Sequence, residues 1–103
     1  MSAYMSDAER VLMHIHSIPW DQHLFVGPYE TTVYGIMYGL NMTRVKTKTA
    51  LEQLENDHKI TSSKIRTVKD GEILTNKVRC YGITDAGSKA ANEIEMKMKR
   101  EKE

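Results

Sequence analysis

Hydrophobic positions recur at helical spacing in several stretches of the chain and alternate with basic residues in another. Ala8, Val11, Leu12 and Ile15 follow at steps of three and four behind Ser6 and Glu9, a pair spaced for a capping box. The pattern predicts a first helix over 7–17, with Pro19 ending it. Leu24-Phe25-Val26 is a short apolar run closed by Gly27-Pro28, which reads as a brief strand or extended connector. Thr31 or Thr32 can cap a second helix over 33–39. Gly35 and Gly39 lie on one face of that helix, and glycines four apart imply that another helix passes close by.

Leu40-Asn41-Met42-Thr43 breaks the periodicity. Asn41 can take the left-handed conformation of a tight inter-helix turn, and Thr43 is placed to cap a third helix over 44–57. In that helix Thr47, Ala50, Leu51 and Leu54 form the predicted buried stripe, with Arg44, Val45, Lys46, Lys48 and Thr49 largely outside it. From Lys59 to Thr84 β-branched and basic residues interleave. Ile65-Arg66-Thr67-Val68-Lys69 and Lys77-Val78-Arg79-Cys80-Tyr81 read as an antiparallel hairpin through a loop containing Asp70-Gly71. Glu72 to Asn76 lengthens that loop, so a mobile tip is expected. Thr84 caps a last helix over 85–100 in which Gly87, Ala90, Ala91, Ile94 and Met98 share a face, and the charged tail from Lys97 to Glu103 is expected to fray.

Charge changes the picture more than composition does. The chain of 103 residues has room for one small domain, and 40% hydrophobic with 28% charged residues is the balance of a chain that folds in water. The net charge is only +1, but residues 41–80 carry nine Lys and Arg against five Asp and Glu, while 1–40 carry one against four. A local cationic zone in an otherwise neutral or acidic chain suits a polyanionic partner. No apolar run approaches the roughly 20 residues that cross a bilayer, and Met1 to Ala8 lacks a basic stretch followed by an apolar block, so a cytoplasmic protein without membrane insertion is expected.

Catalysis and metal binding find little support in the residues. His14 and His16 are two apart on a helix and point in different directions, while His23 and His58 are distant, so neither a metal site nor a cofactor is expected. Cys80 has no second cysteine to pair with and reads as a small core or edge residue, although Lys77 and Arg79 nearby could activate it as a thiol switch. There is no Gly-rich phosphate loop and no Gly-x-Ser-x-Gly, so an enzyme is not expected. Trp20, Tyr29, Tyr34 and Tyr38 are placed to form an aromatic cluster beside the second helix.

Two short helices joined by a tight turn, the second basic in its N-terminal half, then a basic hairpin and a further helix, together resemble the winged helix-turn-helix family of DNA-binding domains. The residues that carry the resemblance are Thr32-Val33-Tyr34-Gly35-Ile36-Met37-Tyr38-Gly39-Leu40-Asn41-Met42-Thr43-Arg44, then Ala50-Leu51-Glu52-Gln53-Leu54-Glu55, and Tyr81-Gly82-Ile83-Thr84-Asp85-Ala86-Gly87. The form is similar to that of archaeal and bacterial regulators, with an L-x-x-L-E segment before the wing and a Y-x-L-T-x-x-G opening of the final helix. The sequence departs from the pattern at Asn41, at Thr47 and at Asp57-His58-Lys59; Thr47 is expected to bond its hydroxyl to the preceding turn of its own helix.

The resemblance implies an α+β winged-helix domain, mostly helical, over 1–103, with the helix-turn-helix over 32–57, the wing over 60–83 and the C-terminal helix over 85–100. It implies double-stranded DNA as partner and transcription regulation as function; because one recognition helix reads only a few base pairs, a homodimer formed through the C-terminal helix, with some help from the first, is expected. Thr43, Arg44, Val45, Lys46, Lys48 and Thr49 would enter the major groove, where Arg44 or Lys46 can donate to guanine, Val45 can touch a thymine methyl, and Thr43 or Thr49 can bond a phosphate. Lys64, Arg66, Lys69, Lys77 and Arg79 would project from one face of the wing toward a phosphate ribbon or the minor groove. The competing reading is a winged-helix module that makes protein contacts inside a larger nucleic-acid-processing assembly, and a third is an RNA-binding winged helix.

Overall fold

The computed structural model describes the backbone of residues 5–102 and the side chains of 5–100. Met1 to Tyr4 and Glu103 lie outside the described residues. The element order is α1 (Asp7–His16), β1 (Val26–Pro28), a 3-10 turn (Tyr29–Thr31), α2 (Val33–Leu40), α3 (Arg44–Asn56), β2 (Ile60–Lys69), β3 (Glu72–Ile73), β4 (Val78–Ile83) and α4 (Asp85–Lys102).

Side-chain caps set the helix starts. Ser6 and Glu9 form the full capping box on α1, Thr32 Oγ1 accepts from the Gly35 N–H at 3.1 Å, and Thr84 Oγ1 accepts from the Gly87 N–H at 3.0 Å. Asn41 ends α2 with φ 53° and ψ 49°, so the chain reverses within three residues before Thr43 caps α3. Arg10 donates to the Leu40 carbonyl at 2.7 Å, tying α1 to the end of α2. The core lies where α1, α2 and α3 meet the root of the sheet: Val11, Leu12, Ile15, Ile36, Leu51, Leu54, Ile60 and Tyr81 are all buried there. On α4, Gly87 and Ala91 are buried while Ala90, Ile94 and Met98 are half-buried. The helix continues through Lys102, so the tail expected to fray from Lys97 is helical as far as it is described.

One of the two glycines of α2 meets another helix, as expected, and the other meets the 3-10 turn. Gly35 packs against the backbone of the 3-10 turn at Tyr29 and Glu30, and Gly39 faces the ring of His14 from α1.

The wing occupies the expected span, with strands that run beyond the segments 65–69 and 77–81. β2 begins at Ile60 and pairs antiparallel with β4 from Ile60↔Ile83 to Ile65↔Val78. Beyond Ile65, β2 pairs with β3 through Val68↔Ile73 and Lys69↔Glu72. Asp70 (φ 52°) and Gly71 (φ 83°) therefore make a two-residue hairpin turn of their own, because two successive positive φ values match the right-handed strand twist. The tip expected as a long loop is a closed ladder, and the extra residues form a bulge before Val78. β1 is Val26–Pro28 instead of Leu24–Val26, and pairs parallel with β2 at Val26↔Arg66, Gly27↔Thr67 and Pro28↔Val68.

Candidate nucleic-acid interface

The α3 surface is built from its buried side outward. Thr47, Ala50, Leu51 and Leu54 are buried, as the spacing requires, and the Thr47 hydroxyl donates to the Thr43 carbonyl at 2.8 Å. A buried hydroxyl at that position is thereby satisfied within its own helix. The stripe turns Thr43, Arg44, Val45, Lys46, Lys48 and Thr49 to solvent; all six are exposed, Val45 at 76%. Among the described residues no carboxylate pairs with any of these cations, since the ion pair present is Arg10 with Asp7 at 3.9 Å.

The exposed α3 residues divide between two flanks. Arg44 and Lys48 border a groove of about 260 Å³ whose opposite wall is the wing, with Arg79 across from them and Tyr29, Tyr34 and Thr67 also lining it. The Arg44 guanidinium sits 5.8 Å from the centroid of the Tyr34 ring, a cation–π arrangement that orders the side chain without neutralising it. Val45, Lys46 and Thr49 border a separate depression shared with Ser6 and Asp7 at the start of α1.

Lys64, Arg66 and Arg79 share one face of the wing, and Lys69 does not. Lys64 lies directly opposite Arg79 in the ladder, and Arg66 is on the same side of β2 as Lys64. Lys69 has the opposite parity, and its Nζ lies 4.7 Å from the Tyr29 ring centroid. Lys64, Arg66 and Lys77 gather with Phe25 around another depression, on the side of β2 that β1 joins. Arg79 is steadied from within the sheet, its Nη1 donating to the Ser62 hydroxyl at 2.9 Å.

The expected aromatic cluster is dispersed. Trp20 donates its indole N–H to the Tyr81 carbonyl at 3.0 Å, Tyr29 and Tyr34 carry the two cation contacts, and Tyr38 is 76% exposed. Tyr29 and Tyr34 are thus site residues that periodicity did not reveal, because the contacts are made between elements and not within one.

Cys80 is buried, with its Sγ 3.0 Å from the Thr31 hydroxyl, and burial pushes its pKa up despite that hydrogen bond. Lys77 and Arg79 do not activate it. Iodoacetamide at pH 8 is expected to leave the folded protein unmodified, with mass spectrometry showing full alkylation only after denaturation. Burial also raises the Tyr81 pKa. Both groups stay protonated in the fold at a pH where the unfolded chain has released its protons, so stability should hold below pH 9 and decline above it.

His14 bonds through Nε2 to the Glu30 carbonyl at 2.9 Å, which makes it a packing contact between α1 and the 3-10 turn. Among the described residues no group of His, Cys, Asp and Glu is placed to hold a metal ion, and no helix is long and apolar enough to cross a membrane.

No family model matches the sequence, and no curated protein sequence matches it significantly. Solved structures do. A mutant of Lactococcus lactis ZitR in its apo form aligns with a TM-score of 0.66 at 18% identity, covering 93% of this chain and 59% of that one. A second ZitR mutant aligns with a TM-score of 0.62 at 17% identity, covering 91% and 52%. The fold is a winged helix. The α+β architecture implied by the ordered segments from Thr32 to Gly87 is thereby present, with α2 and α3 as the helix-turn-helix and β2 to β4 as the wing. The winged-helix chain spans 59% of the length of the first of these ZitR chains.

Proposed function

We propose that this winged-helix chain is a sequence-specific double-stranded DNA-binding domain of a cytoplasmic transcription regulator. The observation that carries the reading is the groove in which Arg44 and Lys48 of α3 face Arg79 of the wing, all exposed and, among the described residues, free of carboxylate partners. A helix whose first two turns are cationic and bare can present side chains to base edges, while a wing beside it holds the adjacent phosphates. The fold likeness to ZitR supports a DNA-binding regulator in general. Thr43, Val45, Lys46 and Thr49 complete the α3 contact, and Lys64, Arg66, Lys69 and Lys77 that of the wing.

Dimerisation through α4 is part of the proposal, since one recognition helix reads few base pairs and a two-fold pair doubles the site. Light scattering at micromolar concentration should return twice the chain mass.

The test is a mobility-shift titration on a random duplex pool over a salt series. If about six phosphates are neutralised per subunit, log affinity falls against log salt with a slope of roughly −5. Lys46→Ala and Arg66→Ala should each weaken binding several-fold at 0.1 M salt, as expected for about one lost phosphate contact. Absence of any shift at low salt would leave the protein-contact module as the better account, and preference for structured RNA over duplex DNA would favour the third.

A further inference from the structure

Phe25 is 88% exposed, and Leu24 beside it is 57% exposed. A single exposed apolar side chain is ordinary, but this one is carried on a segment tied to the sheet on both sides. The loop before it is pinned to the sheet: Trp20 donates to the Tyr81 carbonyl at 3.0 Å, the Gln22 amide to the Ile83 carbonyl at 2.9 Å, and Thr61 Oγ1 to Gln22 Oε1 at 2.8 Å. Two residues on, Gly27 is packed so closely that a Cβ there would lie 2.8 Å from Cys80 Sγ and 2.9 Å from Ile65 Cδ1. β1 therefore lies in close contact with the sheet, and the pairing of Val26 with Arg66 places the Phe25 backbone beside β2.

The surroundings identify the partner. Phe25, Val26 and Ile65 make the apolar part of the depression, and Lys64, Arg66 and Lys77 make the rest, with no acidic residue lining it. An aromatic ring flanked by three cations matches an aromatic base flanked by phosphates. The geometry points to Phe25 as a wedge that stacks on a base at a partly unstacked step of bound DNA, with Lys64, Arg66 and Lys77 holding the phosphates on either side. The inference rests on the DNA-binding reading above and adds a distortion of the duplex that a plain wing contact would not cause. Pyrimidine–purine steps unstack most readily and are where the wedge enters.

The test uses the full chain, duplexes rich in TA steps, and permanganate, which oxidises unstacked thymines. The unaltered protein should produce reactive thymines inside the bound region. Phe25→Ala should abolish them and weaken binding by roughly tenfold, the scale of one lost base–aromatic stack. Its salt slope and melting temperature should match those of the unaltered protein, because no charge is lost and the side chain is exposed. Arg66→Gln should instead lower the slope by about 0.9. Binding by the unaltered protein without reactive thymines, or Phe25→Ala that keeps both the reactivity and the affinity, overturns the wedge and leaves the DNA-binding reading standing. Phe25-dependent binding of single strands with an undistorted duplex also overturns it. No duplex binding by the unaltered protein removes the proposed function itself, and the wedge with it.

Discussion

The triple substitution Arg44→Gln, Lys46→Gln and Lys48→Gln is expected to lower affinity for duplex DNA by at least about a hundredfold at 0.1 M salt, and to flatten the salt slope by roughly 2.7. The same variant is expected to melt at or above the temperature of the unaltered protein. Both halves come from where these charges stand. The N-terminus of a helix carries partial positive charge, so cations in its first turn are repelled by the backbone dipole, at a cost of about 0.3–1 kcal/mol each. α3 has Arg44 and Lys46 in that turn and no acidic residue to offset them. A sequence selected for stability alone would place Asp or Glu there, as α1 does with Asp7 and Glu9. The arrangement is unfavourable in the isolated protein and favourable once an anion arrives at the helix end, where dipole and side chains attract it together. Fluorescence anisotropy across a salt series and a thermal melt on the same samples read both effects. Unchanged affinity and slope would exclude α3 as the DNA-contacting element, whatever the melt shows.

What the sequence disclosed of this fold is what is encoded within about four residues. Ser6 with Glu9, Thr32, Thr43 and Thr84 cap the helices they were expected to cap, and Asn41 takes the left-handed turn. The buried stripe of α3 follows from its 3.6-residue period, and with it the exposure of every α3 residue expected to meet DNA. The wing was less legible because its register depends on partners far along the chain. Ile60 to Ser63 carry little alternation, yet pair with Cys80 to Ile83 because the buried Ile60 and Tyr81 anchor the ladder from the core end. The bulge before Val78 is invisible to a count of loop residues, since Asp70-Gly71 closes the hairpin first. β1 joins β2 across some forty residues of chain and in parallel, a pairing for which neither partner has a local signal. Along the ribbon the wing cations line different depressions, Arg79 beside Arg44 and Lys48, and Lys64, Arg66 and Lys77 beside Phe25.

Gly35→Ala is expected to destabilise the protein by about 3 kcal/mol or more, while Gly39→Ala, one turn later in the same helix, should change stability by no more than about 1 kcal/mol in either direction. Both substitutions gain the same helix propensity, about 1 kcal/mol, so the contrast isolates packing. A Cβ on Gly35 would fall on the Tyr29 carbonyl oxygen and lie 2.7 Å from Glu30 Cα, both backbone atoms of the 3-10 turn. That turn cannot yield. Thr32 N–H and Oγ1 both donate to the Tyr29 carbonyl, at 3.0 and 2.6 Å, the Thr31 hydroxyl is bonded to the Pro28 carbonyl, and the His14 ring holds the Glu30 carbonyl. To make room, α2 would have to move away from the turn and carry Asn41 and the start of α3 with it, breaking the Arg10 bond to Leu40. A Cβ on Gly39 meets the His14 Cε1 at 2.6 Å, so the ring has to turn and loosen its bond to the Glu30 carbonyl, a side-chain adjustment that leaves the backbones of α2 and the 3-10 turn in place and whose cost is offset by the gain in helix propensity. For a domain of this size each kcal/mol moves the melting temperature by about 4–8 °C, so the two variants should differ by at least about 8 °C in a circular-dichroism melt. Melting temperatures within a few degrees of each other would mean that α2 does not rest on the 3-10 turn as described. The position of α3 beside the wing, and with it the groove joining Arg44 and Lys48 to Arg79, would then lose its support.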